Sequence, residues 1–170
     1  MNEMKGKIVL ITGASSGIGE ACARKFASQG ADLILNARTE SKLAELKKEL
    51  ETEYGIEVYP LPFDVRDRKA AKNSLDALPE RWKAIDILIN NAGLVIGVDK
   101  EFEGDLDEWD IVIDTNIKAL LAMTRMVVPG MVERNRGHII NIGSIAGEMA
   151  YPGGSVYCCL LYTSPSPRDS

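Results

Sequence analysis

Short apolar runs alternate along the chain with stretches of helical spacing, and this alternation sets the expected elements. Residues 7–12 (KIVLIT) are apolar almost throughout and lead into glycine-rich sequence, the pattern of a strand buried on both faces. From residue 16 to residue 29 the spacing is helical, with Ile18, Cys22 and Phe26 on one face and Gly30 as a stop. The pattern then repeats. Asp32–Ala37 (DLILNA) predicts a second strand, and Glu40–Tyr54 a helix that turns Leu43, Leu46 and Leu50 inward before Gly55 ends it. Residues 58–63 predict a third strand, placed at a sheet edge by Pro60 and Pro62, and a helix follows over residues 68–78. Residues 85–89 (IDILI) predict a fourth strand and residues 139–142 a fifth. Between them, residues 106–133 carry one long helical pattern that Pro129 should kink or break.

Strands that alternate with helices imply right-handed crossovers and a parallel sheet covered on both faces. The expected fold is therefore α/β, a doubly wound parallel sheet (Rossmann fold) of order 3-2-1-4-5 that stops after strand five. A length of 170 residues fits one domain, and 45% apolar with 26% charged residues is the balance of a chain that buries a core. The net charge of −5, with basic residues interspersed among acids, offers no broad positive field, so nucleic acid is not an expected partner. Cys22, Cys158 and Cys159 cannot build a disulfide framework, and with the single His138 they supply no metal-site spacing. No metal is expected, and the reducing cytoplasm is the expected compartment. No apolar run reaches the length of a signal-peptide core or a membrane span, so no membrane partner is expected either.

The run Thr12-Gly13-Ala14-Ser15-Ser16-Gly17-Ile18-Gly19 lies between the first strand and the first helix, the context in which a glycine motif is informative. Glycine lets the backbone approach a phosphate, and the helix amino terminus adds unpaired N–H groups and partial positive charge. The alternative is a turn that only packs helix on strand. A dinucleotide with a free ribose 2′-hydroxyl wants a carboxylate near the end of the second strand, but the sequence there is Asn36-Ala37-Arg38-Thr39. Arg38 suits a 2′-phosphate and so favours NADP over NAD, although Glu40 stands close enough to reach a ribose.

Ligands in such sheets bind beyond the carboxyl ends of the strands. Asp64 and Val65 reach that edge after strand three, Asn90-Asn91-Ala92-Gly93 after strand four, and Gly143-Ser144 after strand five. Asn116 comes from the long helix, and Tyr157 follows Ser144 closely enough to return to the same crevice. Together TGASSGIG, NNAG, Asn116, Ser144 and Tyr157 resemble the short-chain dehydrogenase/reductase family, over about residues 7–158. The runs LPERW, IDILINNAGL, IDTN and PGMVERNRGHIINIGS are most similar to its NADP-dependent 3-hydroxy acid dehydrogenases, a group that includes serine dehydrogenases and malonic semialdehyde reductases.

The resemblance implies an oxidoreductase that moves a hydride between NADP and a small 3-hydroxy acid or its carbonyl form. It implies that Tyr157 is the general acid/base beside the nicotinamide, that Ser144 holds the substrate oxygen, and that Asn116 fixes a water in the proton relay. Gly13, Ala14, Ser15, Ser16, Gly17 and Ile18 would then hold the diphosphate, while Asp64, Val65 and Asn91 line the adenine and its ribose. A homotetramer is implied for the full-length parent. Each residue also has a bland role: serine after a strand caps helices, tyrosine packs, and asparagine in a helix bonds locally. A catalytically dead dinucleotide-binding or regulatory module is the alternative function. An S-adenosylmethionine-dependent transferase leaves the pairing of Ser144 with Tyr157 without a reason, and a P-loop enzyme lacks its lysine after the glycine turn.

Two features depart from the family pattern. The family places a lysine four residues after the tyrosine, on the same helical face, and this chain has Leu161 there. A unit charge about 4 Å away contributes up to ~4 kcal/mol at an effective permittivity of about 20, so its loss should cripple catalysis. The second feature is the end of the chain. From Cys159 onward (CLLYTSPSPRDS) helical periodicity is expected to fail, and residues 159–169 match the translation of a transposon-type sequencing adapter. The expected division is a cofactor-binding domain over residues 1–158, the amino-terminal part of a longer enzyme, and a non-native tail over residues 159–170.

Overall fold

A computed structural model describes residues 3–96, 102–149, 151 and 155–162. Five parallel strands, β1 (Ile8–Thr12), β2 (Asp32–Ala37), β3 (Val58–Pro62), β4 (Ile87–Asn90) and β5 (His138–Asn141), form one sheet of order β3-β2-β1-β4-β5. The doubly wound expectation and its strand order hold. Helices α1 (Gly17–Ser28), α2 (Glu40–Tyr54), α3 (Arg68–Asp76), α4 (Leu106–Ile113), α5 (Leu120–Glu133) and α6 (Ser155–Tyr162) supply the connections, and no described helix is long and apolar enough to cross a membrane.

Alternation along the strands divides the core between the two faces. Val9, Ile11, Leu33 and Leu35 pack with Ala23 and Ala27 of α1 and with Leu43, Leu46 and Leu50 of α2. Leu10, Ile34 and Leu88 pack on the other face with Ala71 of α3 and with Met123, Val127 and Met131 of α5. Each fully buried Leu or Ile side chain contributes about 1.5–3 kcal/mol, which is why β1, in the middle of the sheet, is apolar on both sides.

The buried face of α1 differs from the expected one. Gly19, Ala23 and Ala27 are buried, Cys22 and Phe26 are partly covered, and Ile18 is 60% exposed. Small residues win because α1 sits so close to β1 that a Cβ on Gly19 would overlap the Gly13 carbonyl oxygen. The long helical pattern is also divided differently. Pro129 lies inside a continuous α5, and the irregularity falls at a π segment, Asp114–Ala119, between α4 and α5. There the Thr115 hydroxyl donates back to the Ile111 carbonyl at 2.8 Å, a bond that bends helices. The helix α6 runs on through Cys159, Leu160 and Leu161, past the expected loss of periodicity, because apolar residues of adequate helix propensity continue the turn begun at Ser155. Residues 163–170 of the expected tail lie outside the described residues.

The two sheet edges are built differently. On β3 the outward N–H of Val58 donates to Glu51 Oε1 at 3.0 Å, Lys47 Nζ donates to the Val58 carbonyl at 2.6 Å, and Pro60 has no N–H to offer. Side chains of α2 thus close the outer edge. At the other side β5 is mostly exposed, carries no proline, and pairs only with β4 among the described residues. The fourth strand begins at Ile87 rather than at residue 85 because the buried Asp86 carboxylate, not a backbone carbonyl, accepts the Ile8 N–H at 3.0 Å. Arg136 sits 2.7 Å from the same carboxylate, so Asp86 ties the amino ends of β1 and β4 to the segment entering β5.

Candidate functional site

At the opposite, carboxyl ends of the strands, buried polar side chains link β1 to β4, β2 to β3 and β4 to β5. The Thr12 hydroxyl donates to the Ile89 carbonyl at 3.3 Å and accepts from the N–H groups of Asn91 and Ala92, both at 3.0 Å. Asn36 Nδ2 donates to the carbonyls of Leu61 and Phe63, linking β2 to β3. Asn90 Nδ2 donates to Asn141 Oδ1 and Thr124 Oγ1, linking β4 to β5 and α5. Thr12, Asn36 and Asn90 are 2%, 1% and 4% exposed, so these bonds form away from water, where losing a partner costs about 1–3 kcal/mol. The sequence reading missed Thr12 as a functional residue. Its signal was available: the last residue of the central strand, polar, and adjacent to the strand that ends in Asn-Asn.

The glycine turn sits on this platform. Gly13 has φ +65° and is packed so tightly that a Cβ would stand 2.9 Å from Ala92 Cα. Gly19 is equally tight, whereas Gly17, at φ +56°, has nothing within 4 Å of an added Cβ. One glycine makes the turn, another lets helix pack on strand, and the middle one leaves open space over bare backbone. That is the division of labour a diphosphate requires. Ser16, Gly17 and Ile18 are exposed, and the Ser16 side chain makes no cap, so no side chain of the turn covers the first turn of α1. Ala14 is buried and its N–H donates to the Asn36 carbonyl, while Ser15 is half-buried. Asn91 works from beneath: its Nδ2 donates to the carbonyls of Thr12 and Gly13 at 2.9 and 3.1 Å and so holds the turn in shape.

Asn116 reaches the same edge from the π segment. Its Nδ2 donates to the Leu94 carbonyl at 2.7 Å and its Oδ1 accepts the Leu94 N–H at 2.9 Å, a reciprocal pair that pins the loop after β4. Gly93 lets the loop pass, since a Cβ there would stand 2.9 Å from Asn116 Oδ1. The Ser144 hydroxyl accepts from the Ala146 N–H at 3.2 Å as the cap of a 3₁₀ turn, Ile145–Gly147, and the side chain is exposed. Tyr157 is half-buried in α6, which packs against that turn and against α4. No hydrogen bond joins Ser144 to Tyr157 among the described residues.

Beyond β2 and β3 the site is charged. Arg38 is exposed just past β2, and Val65 is buried just past β3. Between them the Asp64 carboxylate accepts from Arg66 Nε at 3.1 Å, from Arg66 Nη2 at 2.7 Å and from the Arg66 backbone N–H at 2.9 Å. Hydrogen bonds from Arg66 hold the Asp64 carboxyl below the usual carboxylate range against the opposing effect of burial, and the charge of Arg38 pulls the same way. Sequence reading had picked out Asp64 and missed Arg66, its partner.

A family model for short chain dehydrogenases matches residues 7–159. The chain belongs to the short-chain dehydrogenase family. Among the relatives of this chain, the NADP-dependent 3-hydroxy acid dehydrogenase YdfG of Escherichia coli K12 is 50% identical over 150 residues, 88% of this chain and 59% of the relative. The NADP-dependent 3-hydroxy acid dehydrogenase of Schizosaccharomyces pombe is 46% identical over 159 residues, covering 93% of this chain and 61% of that one. Among solved structures, serine dehydrogenase from Escherichia coli matches with a TM-score of 0.85 and 48% identity over 91% of this chain and 70% of its own. The closed form of serine dehydrogenase complexed with NADP+ matches with a TM-score of 0.84 and 47% identity, over 91% of this chain and 61% of its own. This chain thus spans about three-fifths of the length of the curated relatives it matches.

Proposed function

We propose that this chain is the amino-terminal, coenzyme-binding part of an NADP-dependent oxidoreductase acting on a small 3-hydroxy acid or its carbonyl form. The observation that carries the reading is the glycine turn, where Gly13 and Gly19 are packed shut and Gly17 alone opens onto free space, with Arg38 exposed at the end of the neighbouring strand. The similarity to NADP-dependent relatives supports the choice of coenzyme and substrate class. Bound NADP would supply the hydride acceptor, or in its reduced form the donor. The backbone of residues 13–18 would hold the diphosphate, Arg38 the 2′-phosphate, and Asp64 and Val65 the adenine. Asn91 acts on the ribose side through the turn whose carbonyls it holds.

For the chemical step, Tyr157 would pass its phenolic proton to the substrate oxygen or take it back, and Ser144, whose cap bond leaves its hydroxyl hydrogen free to donate, would hold that oxygen. Asn116 would keep a water in the proton path from its main chain, because its side chain is committed to Leu94. Leu161 puts an apolar group where the family carries a cation, so the chain as it stands should bind coenzyme without turning substrate over. A homotetramer in the cytoplasm is the assembly and compartment we propose for the whole enzyme, the latter in keeping with a sequence of three cysteines that offers no disulfide framework.

Arg38→Asp should weaken NADPH binding about 10-fold to 100-fold, the loss of charge-assisted hydrogen bonds plus new repulsion, while NADH changes little. Fluorescence titration of the chain with both coenzymes reads this, and tighter binding of NADH by the unaltered chain would overturn the choice of coenzyme. For the chain end we propose that natural sequence stops near Cys158, which agrees with the family match ending at residue 159. Reading the DNA tests this: adapter codons are expected from Cys159 onward, and different codons matched by a genomic locus would refute it.

A further inference from the structure

The charged cluster beyond β2 and β3 holds more than the coenzyme reading uses. Arg38 and Asp64 leave adjoining strand ends, where the Phe63 N–H donates to the Ala37 carbonyl at 3.2 Å, and a carboxylate close to a phosphate-binding arginine works against that arginine. It can pair with the arginine in place of the phosphate, and it repels the phosphate. Here Arg66 occupies both carboxylate oxygens, with Nε 3.1 Å from Oδ1 and Oδ2 and Nη2 2.7 Å from Oδ2, and its own backbone N–H adds a third donor. The short spacing between the two residues builds this in, because a side chain two positions on folds back over the carboxylate with backbone and guanidinium together. Arg38 makes no ion pair among the described residues, although its charge acts on Asp64.

Asp114, in the π segment, is the other acid whose field reaches Arg66, and it has a cation of its own in Lys118, 2.7 Å away. Asp64 is thus matched by Arg66 and Asp114 by Lys118. Neither acid is ion-paired with Arg38 among the described residues.

We infer that Arg66 is a positioning residue for 2′-phosphate selectivity: by engaging the Asp64 carboxylate on both oxygens it keeps Arg38 uncompensated and available to the phosphate. Arg66 itself touches no phosphate in this scheme. The inference rests on the proposal that Arg38 meets the 2′-phosphate, and the test separates the two.

The probes are adenosine 2′,5′-bisphosphate and 5′-ADP, titrated calorimetrically into the full 170-residue chain, and the readout is the ratio of their dissociation constants. Using a ratio removes any loss common to both probes, and far-ultraviolet circular dichroism reports that each variant is folded. Arg66→Met, which keeps the apolar stem, should lower the preference for the bisphosphate about fivefold, the upper range for a partly exposed ion pair. Arg66→Lys should lose less preference than Arg66→Met, because an ammonium still neutralises Asp64 although it lacks the fork that grips both oxygens. The decisive variant is the double change Arg66→Met with Asp64→Asn, in which the preference should return, since no carboxylate remains to compete. A preference that falls in Arg66→Met and is not restored in the double variant, or one that never falls, overturns the role of Arg66 alone, provided Arg38→Met still abolishes the preference. If Arg38→Met leaves the preference intact, the coenzyme reading fails and this inference with it.

Discussion

Tyr157→Phe is expected to lower kcat/KM at least about a hundredfold, the lower range for losing a general acid/base group, with coenzyme affinity nearly unchanged. The measurement needs a chain that turns over. Joining residues 1–158 to the carboxyl-terminal remainder of the Escherichia coli relative, 50% identical over the shared part, supplies one and restores the cation that Leu161 replaces. The helix carrying Tyr157 packs on the 3₁₀ turn capped by Ser144, so phenol and hydroxyl are delivered by adjoining elements, and phenylalanine keeps the ring while removing only the hydroxyl group. Undiminished activity of the Tyr157→Phe chimera would discard the mechanism. A chimera that binds NADPH and turns over nothing, even with Tyr157 in place, would favour the regulatory-module alternative.

The second large effect is a contrast between two glycines of one turn. Gly19→Ala should cost about 1–3 kcal/mol of stability or more, because its Cβ runs into the Gly13 carbonyl and the Asn91 amide, neither of which can retreat without breaking the turn. Coenzyme affinity should fall with it, since the backbone of residues 13–18 moves. Gly17→Ala should cost only about 1–2 kcal/mol, the penalty of a positive φ, because the space around it is empty. That emptiness is the reason its affinity for NADPH should fall more than about tenfold, the methyl standing where the diphosphate must approach. Urea melts and NADPH titrations of the two variants check this. Equal affinity losses in proportion to lost stability would show that Gly17 faces no ligand.

The order of strands was readable because the signals were local and repeated: apolar runs of strand length, Gly30 and Gly55 as stops, and two prolines, Pro60 and Pro62, that a central strand would not tolerate. β2 and α2 fall at the expected residues for that reason. What local pattern could not supply was contact between distant segments. Ile18 scores as a core residue by spacing, yet close approach of α1 to β1 selects Gly19 and Ala23 instead. Pro129 looks like the weak point of the long helix, but the break is set at Asn116, which must reach across to Leu94. The role of Thr12 is of the same kind, whereas the Arg66–Asp64 contact is local, between residues two positions apart. Thr12 meets Ile89 and Asn91 only when the strand ends are brought together, and Arg66 gains a consequence only because Arg38 is carried to the same edge by β2.

The unequal edges of the sheet bear on how the chain takes shape as it leaves the ribosome. Once β3 has joined β2, the side chains of Lys47 and Glu51 have already shut that border, and each later strand lands on the far side, β4 beside β1 and then β5 beside β4. Recruitment therefore proceeds in one direction. A growing polypeptide with one closed border is protected from a stray neighbour there, and the edge open to mispairing during synthesis is β1 until β4 pairs with it, then β4 until β5 arrives.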